Sequence, residues 1–317
     1  MLLYSDIKTE IGGRVVDADD LLTNAWFQRQ VWDAYTVVVA HSGGYWLREE
    51  GTLTTVASTG SYALAANCWI PVQMIDTTNQ HIVDRCDQED EAHVYINRSN
   101  TGLPYSYYRI ANAGVSAQPT SASAIAIVSN SASDVTDYTV RVRGLVSGLE
   151  YTEVETLTGT VAVSTTAQFT HIYEVNKNLP TNGTVTVTAN AGVVTNVTLP
   201  LEVKFATFPW IRFVCVPADA YSIRYPYIRK PTNVVQDSDR FEVPEELEEC
   251  LVMAFEAKAR RHYQEFDKAQ KMEAENIALI KERTKVFNHK HGSYVKNLSG
   301  ETQSTDFLQE VYLWNLP

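Results

Sequence analysis

The chain has 317 residues and a formal charge of −12, and 44% of its residues are hydrophobic while 20% are charged. At roughly 150 residues per domain, this length predicts about two domains. The composition is typical of a globular protein with a sizeable core, which excludes disorder of the whole chain. No stretch approaches ~18 consecutive apolar residues, so no membrane span is expected. The net negative charge argues against a dedicated nucleic-acid-binding surface, because such a surface needs a patch of basic residues.

The N-terminus and the cysteines bear on where the chain is made. Residues 1–6 contain no basic segment before an apolar run, so no signal peptide is expected. The cysteines are too few for a disulfide scaffold and lie in different segments, which predicts reduced thiols in a chain made in a cytosol. They are Cys68, Cys86, Cys215 and Cys250.

Residues 1–48 have a helical pattern. A short first helix is expected to end at Gly12-Gly13. A second helix is expected from Asp19 to His41, because it opens with acidic residues that suit the helix dipole and continues with apolar residues at i, i+3/i+4 spacing. His41 is followed by Ser42-Gly43-Gly44, which stops the pattern.

Short strands are predicted on both sides of the middle of the chain. Residues 52–56 and 62–64 alternate around a turn and predict a β-hairpin. Residues 69–75 predict another strand, which Pro71 places on a sheet edge or at a bulge. Residues 210–214 and 222–228 predict two more. Together these segments predict a small antiparallel sheet.

Residues 119–204 differ in composition from both flanks, because Ser, Thr, Ala, Val and Gly dominate. About seven short alternating strands fit into this region, and Asn182-Gly183 is a strong turn dipeptide between two of them. The spacing predicts a small β-sandwich of immunoglobulin-like type without the Cys-Trp-Cys signature. The predicted strands are 124–128, 138–142, 153–157, 161–163, 170–175, 184–188 and 193–199.

The strongest helical pattern lies towards the C-terminus. Pro244 suits the first helical position, and the glutamates that follow it suit the helix dipole. An apolar stripe then continues on one side as far as Ile280. The pattern predicts a single helix of ~45 residues, about 65 Å long at 1.5 Å per residue. Such a length exceeds that of ordinary globular helices and indicates a surface for a partner.

These elements predict an α+β protein. A helical host domain with a long C-terminal helix and a small antiparallel sheet is expected over 1–118 and 205–292. The inserted β-sandwich is expected over 119–204, since the ends of such a domain lie close enough to be spliced into a loop. Residues 293–317 are expected to form a C-terminal arm, polar at first and apolar near its end.

The sequence contains no motif of a known catalytic or cofactor site, so no enzyme activity and no cofactor are expected. G-x-S-x-G, the P-loop, G-x-G-x-x-G, H-E-x-x-H and C-x-x-C are all missing. His81, Cys86 and His93 come nearest to a metal set, but their spacing fits no zinc template. The acidic run 87–91 lacks the spacing of a calcium loop. No metal site is therefore expected.

A group of aromatic residues has two interpretations. In the first interpretation these residues line a sugar-binding site. In the second they pack in the core and at subunit interfaces, where tyrosine is enriched. The second interpretation is favoured. The residues are Trp210, Phe213, Tyr221, Tyr225, Tyr227 and Tyr263.

The order of the host-domain segments resembles that of the head-to-tail adaptor, or connector, proteins of tailed bacteriophages. Residues 140–187 also resemble the β-domain inserted in some of those adaptors. The resemblance covers roughly 1–75 and 119–290 and rests on short phrases. These are Gly44-Tyr45-Trp46-Leu47-Arg48, residues 52–57, Gly60-Ser61-Tyr62-Ala63-Leu64, Ile223-Arg224-Tyr225, Arg229-Lys230-Pro231, Asp237-Ser238-Asp239 and Val243-Pro244-Glu245-Glu246-Leu247.

The resemblance implies a structural virion protein, made in the bacterial host cytoplasm and located in the virion neck. Copies would form a ring, expected to be a dodecamer, under the portal protein. The ring would extend the DNA channel, through which duplex DNA passes without specific binding, and dock the next neck or tail protein. No membrane partner is expected. A ring needs a heterologous interface that closes by rotation, and an acidic wall repels the phosphates of DNA.

The same resemblance implies roles for particular segments. The ring wall would be Asp19–His41 and Glu245–Lys285, and the portal contact would be Ser293–Pro317. The interface between subunits would use Leu251, Phe255, His262 and Phe266. An apolar cluster in the arm would contact the portal or a neighbouring subunit through Phe307, Leu308, Val311, Tyr312, Leu313 and Trp314.

A second function stays open at this point. The β-rich middle of the chain is also typical of a tail-tip or fibre adhesion protein that uses the β-sandwich to bind a receptor. The two functions differ in their expected assembly. An adaptor is a monomer alone and a ring with the portal, whereas a fibre is a stable trimer.

Overall fold

The computed structural model describes residues 2–15, 24–86, 100–232, 234 and 237–291. The chain divides into two compact units, residues 1–49 with 228–317 and residues 50–227. Within the described residues, strands outweigh helices, and the predicted helical host domain with a small sheet is therefore wrong. The sheet is large and belongs to the same unit as the β-sandwich. Separability of residues 119–204 stays a prediction.

The first unit contains the four α-helices found among the described residues. They are α1 Tyr4–Arg14, α2 Asn24–Ser42, α3 Glu248–His262 and α4 Phe266–His291. Short 3-10 turns at Tyr45–Leu47 and Glu245–Leu247 follow α2 and precede α3. Asp19, where the second helix was predicted to begin, lies outside the described residues. No helix in the part of the chain described here is long and apolar enough to span a membrane.

The core of the first unit forms where apolar stripes of these helices meet. Tyr4, Tyr35 and Phe255 are fully buried in it. Phe241 connects them, because its ring lies 5.8 Å from that of Tyr35 and 5.9 Å from that of Phe255, centroid to centroid. Burial of aromatic side chains of this size supplies a large part of the stabilisation of a small core.

The predicted single C-terminal helix is wrong, because the chain reverses at residues 263–265. Gln264 has a φ of 62°, a left-handed conformation that ends α3. Helix α4 then folds back along α3: the side-chain amide of Asn276 donates to the Cys250 carbonyl at 2.9 Å, and Arg283 donates to the Glu246 carbonyl at 2.6 Å. The two stripes that looked continuous therefore face inwards in a helical hairpin.

Charge is the sequence signal that marks this break. The last turn of α3 is basic, with Arg260, Arg261 and His262, and α4 opens with an acidic residue, Asp267. Basic residues favour a helix C-terminus and acidic residues an N-terminus, so this order indicates one helix ending and another beginning. Apolar periodicity alone does not reveal it, since no Gly or Pro occurs between Glu245 and His291.

The second unit begins with a curled mixed sheet. Its strands are β1 Arg48–Thr54, β2 Ser61–Ala63, β3 Cys68–Pro71, β4 Met74–Asp76, β5 His81–Arg85, β7 Ser106–Ala113, β15 Phe208–Phe213 and β17 Ser222–Arg229, and a separate parallel pair joins β6 Thr101–Gly102 to β16 Val216–Pro217. The strand order is β1-β17-β4-β5-β7-β15-β2, with β3 also paired to β17. Strand β15 pairs antiparallel with β2 and β7, and β4 pairs antiparallel with β17 and β5, whereas β5 and β7 are parallel.

The predicted hairpin over residues 52–64 is wrong. Both strands are present, but β1 is a neighbour of β17 and β2 pairs with β15, so they occupy the two ends of the sheet order. The turn between them is fixed by long-range contacts. The Thr55 N–H donates to the Tyr221 carbonyl at 2.9 Å, and the Ser58 N–H donates to the Pro217 carbonyl at 3.0 Å.

The rest of the second unit is a β-sandwich of two sheets. One has the order β10-β9-β12 and the other the order β11-β8-β13-β14. Each of the seven strands predicted from the sequence overlaps one found here. They are β8 Ala126–Ser129, β9 Val135–Val146, β10 Leu149–Thr158, β11 Val163–Ser164, β12 His171–Lys177, β13 Val185–Ala189 and β14 Val194–Leu199.

The two sheets share one core because alternate residues of each strand point inwards. Val140 and Val142 of β9 and Val185 and Val187 of β13 are all fully buried in the same cluster. This is the period of two that a half-buried strand requires. The sandwich is joined to the sheet through β7 and β15, whose residues Ala113 and Phe208 are paired.

Candidate functional site

The four residues predicted to form a ring interface fall into two classes. Leu251 and Phe255 have no exposed surface and belong to the core of the first unit, so their assignment to an interface is wrong. Both residues lie in the cluster that α3 shares with α1, α2 and α4, and Phe255 packs there against Phe241. His262 and Phe266 lie on either side of the reversal between the two helices and are exposed.

The helical hairpin therefore ends in a tip, residues 262–266, that presents aromatic rings. Phe266 is 63% exposed, and the His262 ring packs edge-on against Tyr263 at 5.6 Å. The backbone is fixed there, because the Glu265 N–H donates to the Arg260 carbonyl at 2.9 Å and the Glu265 carboxylate accepts from Arg260 at 2.7 Å. An exposed aromatic ring on a fixed turn is suited to contact with a partner.

Two sequence phrases that carry the adaptor resemblance meet in the first unit. The Tyr45 hydroxyl donates to a Glu246 carboxylate oxygen at 2.7 Å, and the Trp46 indole N–H donates to the Glu242 carbonyl at 2.7 Å. The Glu242 carboxylate in turn accepts from Arg229 at 2.7 Å, and Arg229 also pairs with Glu49 at 3.0 Å. Burial alone would raise the pKa of Glu242, but hydrogen bonds from Arg229 and Thr232 hold that pKa below its ordinary value.

The apolar cluster predicted to contact the portal lies outside the described residues. It comprises Phe307, Leu308, Val311, Tyr312, Leu313 and Trp314. The described part of the first unit ends at His291 in α4.

No group of three metal-ligating side chains comes together among the described residues. His81 bonds through Nε2 to the Pro104 carbonyl at 2.8 Å. Asp76, which is fully buried, accepts from the backbone of Thr78 and from Asn79, so it forms the turn between β4 and β5. His93 and the acidic run 87–91 lie outside the described residues.

The aromatic group with two interpretations is mainly a core group. Phe213, Tyr225 and Tyr227 are at most 4% exposed. The hydroxyl of Tyr225 accepts from the Ala65 N–H at 3.1 Å, and that of Tyr227 donates to Asn67 at 2.9 Å. Both hydroxyls therefore form hydrogen bonds within the second unit, as the hydroxyl groups of buried tyrosines usually do.

The second unit has an open groove of about 370 Å³ beside β12. Its floor is the outer surface of β9 and β12, and its walls are the two chain segments that connect the sandwich to the sheet. The sequence does not reveal it, because its residues lie in four segments, 112–114, 143, 173–176 and 205–207, that are far apart along the chain. The lining residues are Asn112, Ala113, Gly114, Arg143, Tyr173, Glu174, Asn176, Phe205, Ala206 and Thr207.

Aromatic and polar groups converge in this groove. Phe205 is 63% exposed and Tyr173 is 36% exposed. Tyr173 is held by the ring of His171, which meets it edge-on at 5.0 Å. Glu174 accepts from Arg141 at 3.0 Å, so the floor of the groove carries paired charges. Asn176 donates to Glu174, and its Oδ1 is buried without a hydrogen-bond partner in the described structure.

A buried polar network lies at one end of the sandwich. Asp134 is fully buried and accepts from the Ser129 hydroxyl at 2.6 Å and from the N–H groups of Asn182 and Gly183 at 2.8 and 3.0 Å. Burial alone would raise its pKa, but these hydrogen bonds hold the pKa below its ordinary value. The Asn182-Gly183 dipeptide therefore connects the two sheets and is fixed by a carboxylate.

No protein-family model matches the chain, and none of the curated proteins compared with it matches either.

Proposed function

We propose that this protein is a head-to-tail adaptor of a tailed bacteriophage, a structural virion protein whose copies form a ring under the portal. One observation carries the proposal. The segments 44–48 and 243–247, separated by almost two hundred residues, are joined by the hydrogen bond from Tyr45 to Glu246, and Trp46 donates to Glu242 just before the second segment. These two segments thus belong to one unit, even though the surrounding fold differs from the one that the resemblance implied.

The interface of the proposed ring is revised by the burial of Leu251 and Phe255. The exposed hairpin tip, with His262 and Phe266, is the part of the predicted interface that a neighbouring subunit can reach. A tip that inserts into a different surface of the next copy makes a heterologous contact, and such contacts close into a ring when the rotation is right. The formal charge of −12 suits a channel that does not hold DNA.

Native mass spectrometry tests this proposal. We expect a monomer for the protein alone and a closed ring when the portal protein of the same phage is added. Phe266→Ala should weaken ring formation while the melting temperature stays unchanged, because Phe266 lies at the surface. A stable trimer of the protein alone would instead favour the fibre adhesion protein.

The adhesion function has a specific observation in its favour, the groove beside β12. An exposed, partly aromatic groove on a β-sandwich is the kind of concave surface on which proteins bind small ligands. It does not require a trimer, however, and is compatible with an adaptor whose sandwich decorates the neck. Oligomeric state therefore separates the two functions more directly than ligand binding does.

A further inference from the structure

The groove beside β12 has the size and the chemistry of a site for a small polar ligand. Its volume of about 370 Å³ falls in the range of ~300–1,000 Å³ that is usual for small-molecule sites. It is open to solvent, which suits the end of a longer chain better than an enclosed metabolite. The groove is also built from fixed backbone, since the Gly114 N–H donates to the Tyr173 carbonyl at 2.7 Å and the Lys177 N–H to the Lys204 carbonyl at 2.8 Å.

The close approach of Gly114 is part of this construction. A Cβ at this position would lie 2.8 Å from the Cα of Glu174 and 3.0 Å from the Val175 nitrogen. Only glycine lets the connecting segment pass so near to β12. The wall of the groove is therefore held against its floor, and the lining side chains keep their places.

The lining groups favour one ligand class. The rings of Phe205 and Tyr173 offer apolar surface, and the exposed side chain of Asn112 offers an amide donor and acceptor. The charges compensate each other, because Glu174 pairs with Arg141 at 3.0 Å and Arg143 pairs with Glu150 at 3.1 Å. A strongly charged ligand would gain little in such a site. A pyranose ring matches it, since it has one face of C–H groups and a rim of hydroxyls that both donate and accept.

Both rings are accessible to such a ligand. Phe205 is 63% exposed and Tyr173 is 36% exposed, so the C–H face of a sugar ring can stack against them. We propose that the groove formed by Tyr173 and Phe205 binds a neutral saccharide. This inference does not depend on ring formation and goes beyond the adaptor function.

A glycan array with the labelled full-length protein tests the inference. The probes are immobilised neutral oligosaccharides of hexoses and N-acetylhexosamines, with sialylated and sulphated oligosaccharides beside them. We expect binding to neutral members and at least about tenfold weaker binding for Phe205→Ala and for Tyr173→Ala. Phe266→Ala is the matched control, because it removes an equally exposed ring, 63% in both cases, from the other unit. It should bind like the wild type.

Three results would overturn the inference. They are no binding to any neutral oligosaccharide, binding to the charged oligosaccharides alone, and unchanged binding by the Phe205→Ala variant. That variant decides the matter if Tyr173→Ala fails to fold, because the Phe205 side chain is mostly exposed and its removal should leave the melting temperature unchanged. Native mass spectrometry of the same samples tests ring formation separately, so failure of one proposal does not imply failure of the other.

Discussion

Asp134 is the residue whose contribution to the free energy of unfolding can be measured most clearly. Its carboxylate accepts hydrogen bonds from both N–H groups of the Asn182-Gly183 connection, with no exposed surface of its own. In Asp134→Asn, one of these N–H groups would face an amide NH₂ instead of an oxygen. We expect a loss of about 1–3 kcal/mol in the free energy of unfolding, measured by urea titration at pH 7. Asp137→Asn, an exposed change on β9, is the control and should cost less than about 0.5 kcal/mol.

The Asp134 carboxylate should also make the free energy of unfolding depend on pH. Its pKa is held below the ordinary value in the folded state, so the stabilisation is complete above about pH 3.9, the unfolded-state value. It is lost as the pH falls through the folded-state pKa. The difference in unfolding free energy between wild type and Asp134→Asn should therefore shrink on acidification. A difference that stays constant down to the acid transition would contradict the role given to Asp134.

At the scale of elements, the reversal at Gln264 distinguishes a helical hairpin from one long helix. Gln264 adopts a positive φ of 62°, which glycine tolerates without cost. Gln264→Gly should raise the free energy of unfolding by about 0.5–1 kcal/mol. The matched change Gln270→Gly, at an exposed position inside α4, should lower it by about 1 kcal/mol. If residues 245–291 were one continuous helix, both changes would be destabilising.

The sequence predicts strands better than it predicts their partners. All seven sandwich strands were located from alternation, because each buries one face against the same core. The pairing of β1 and β2 was missed, since it depends on β15 and β17, more than a hundred residues away. The helical reversal was missed because a polar residue, Gln264, takes the left-handed conformation that usually marks glycine. The groove was missed because it exists only where distant segments pass one another.

At the scale of the whole molecule, residues 115–206 are predicted to be removable. Ala113 and Phe208 are paired at the ends of β7 and β15, so a short Gly/Ser linker can join Gly114 to Thr207. Loop-closure entropy changes slowly with length, so such a junction is tolerated. Circular dichroism should show that the helical signal of the first unit is kept. Loss of that signal would mean that the first unit needs the sandwich in order to fold.

The C-terminal arm carries a second prediction at this scale, argued from its sequence. Phe307, Leu308, Val311 and Tyr312 are spaced to form one face of a short helix, which an isolated segment forms only when it binds. Truncation after Ser304 should abolish co-sedimentation with the portal and leave the melting temperature unchanged. A large fall in the melting temperature would show that the arm folds back onto its own chain. Portal binding that survives truncation would reject the anchor.

Cryo-electron microscopy of the protein mixed with the portal tests the adaptor function most directly. We expect a closed ring stacked coaxially on the portal, with the DNA channel continuing through it. The helical units should form the wall, with Phe266 at the contact between neighbouring copies. A portal without added density on its axis, or a three-fold assembly of this protein that forms without the portal, would contradict the adaptor function.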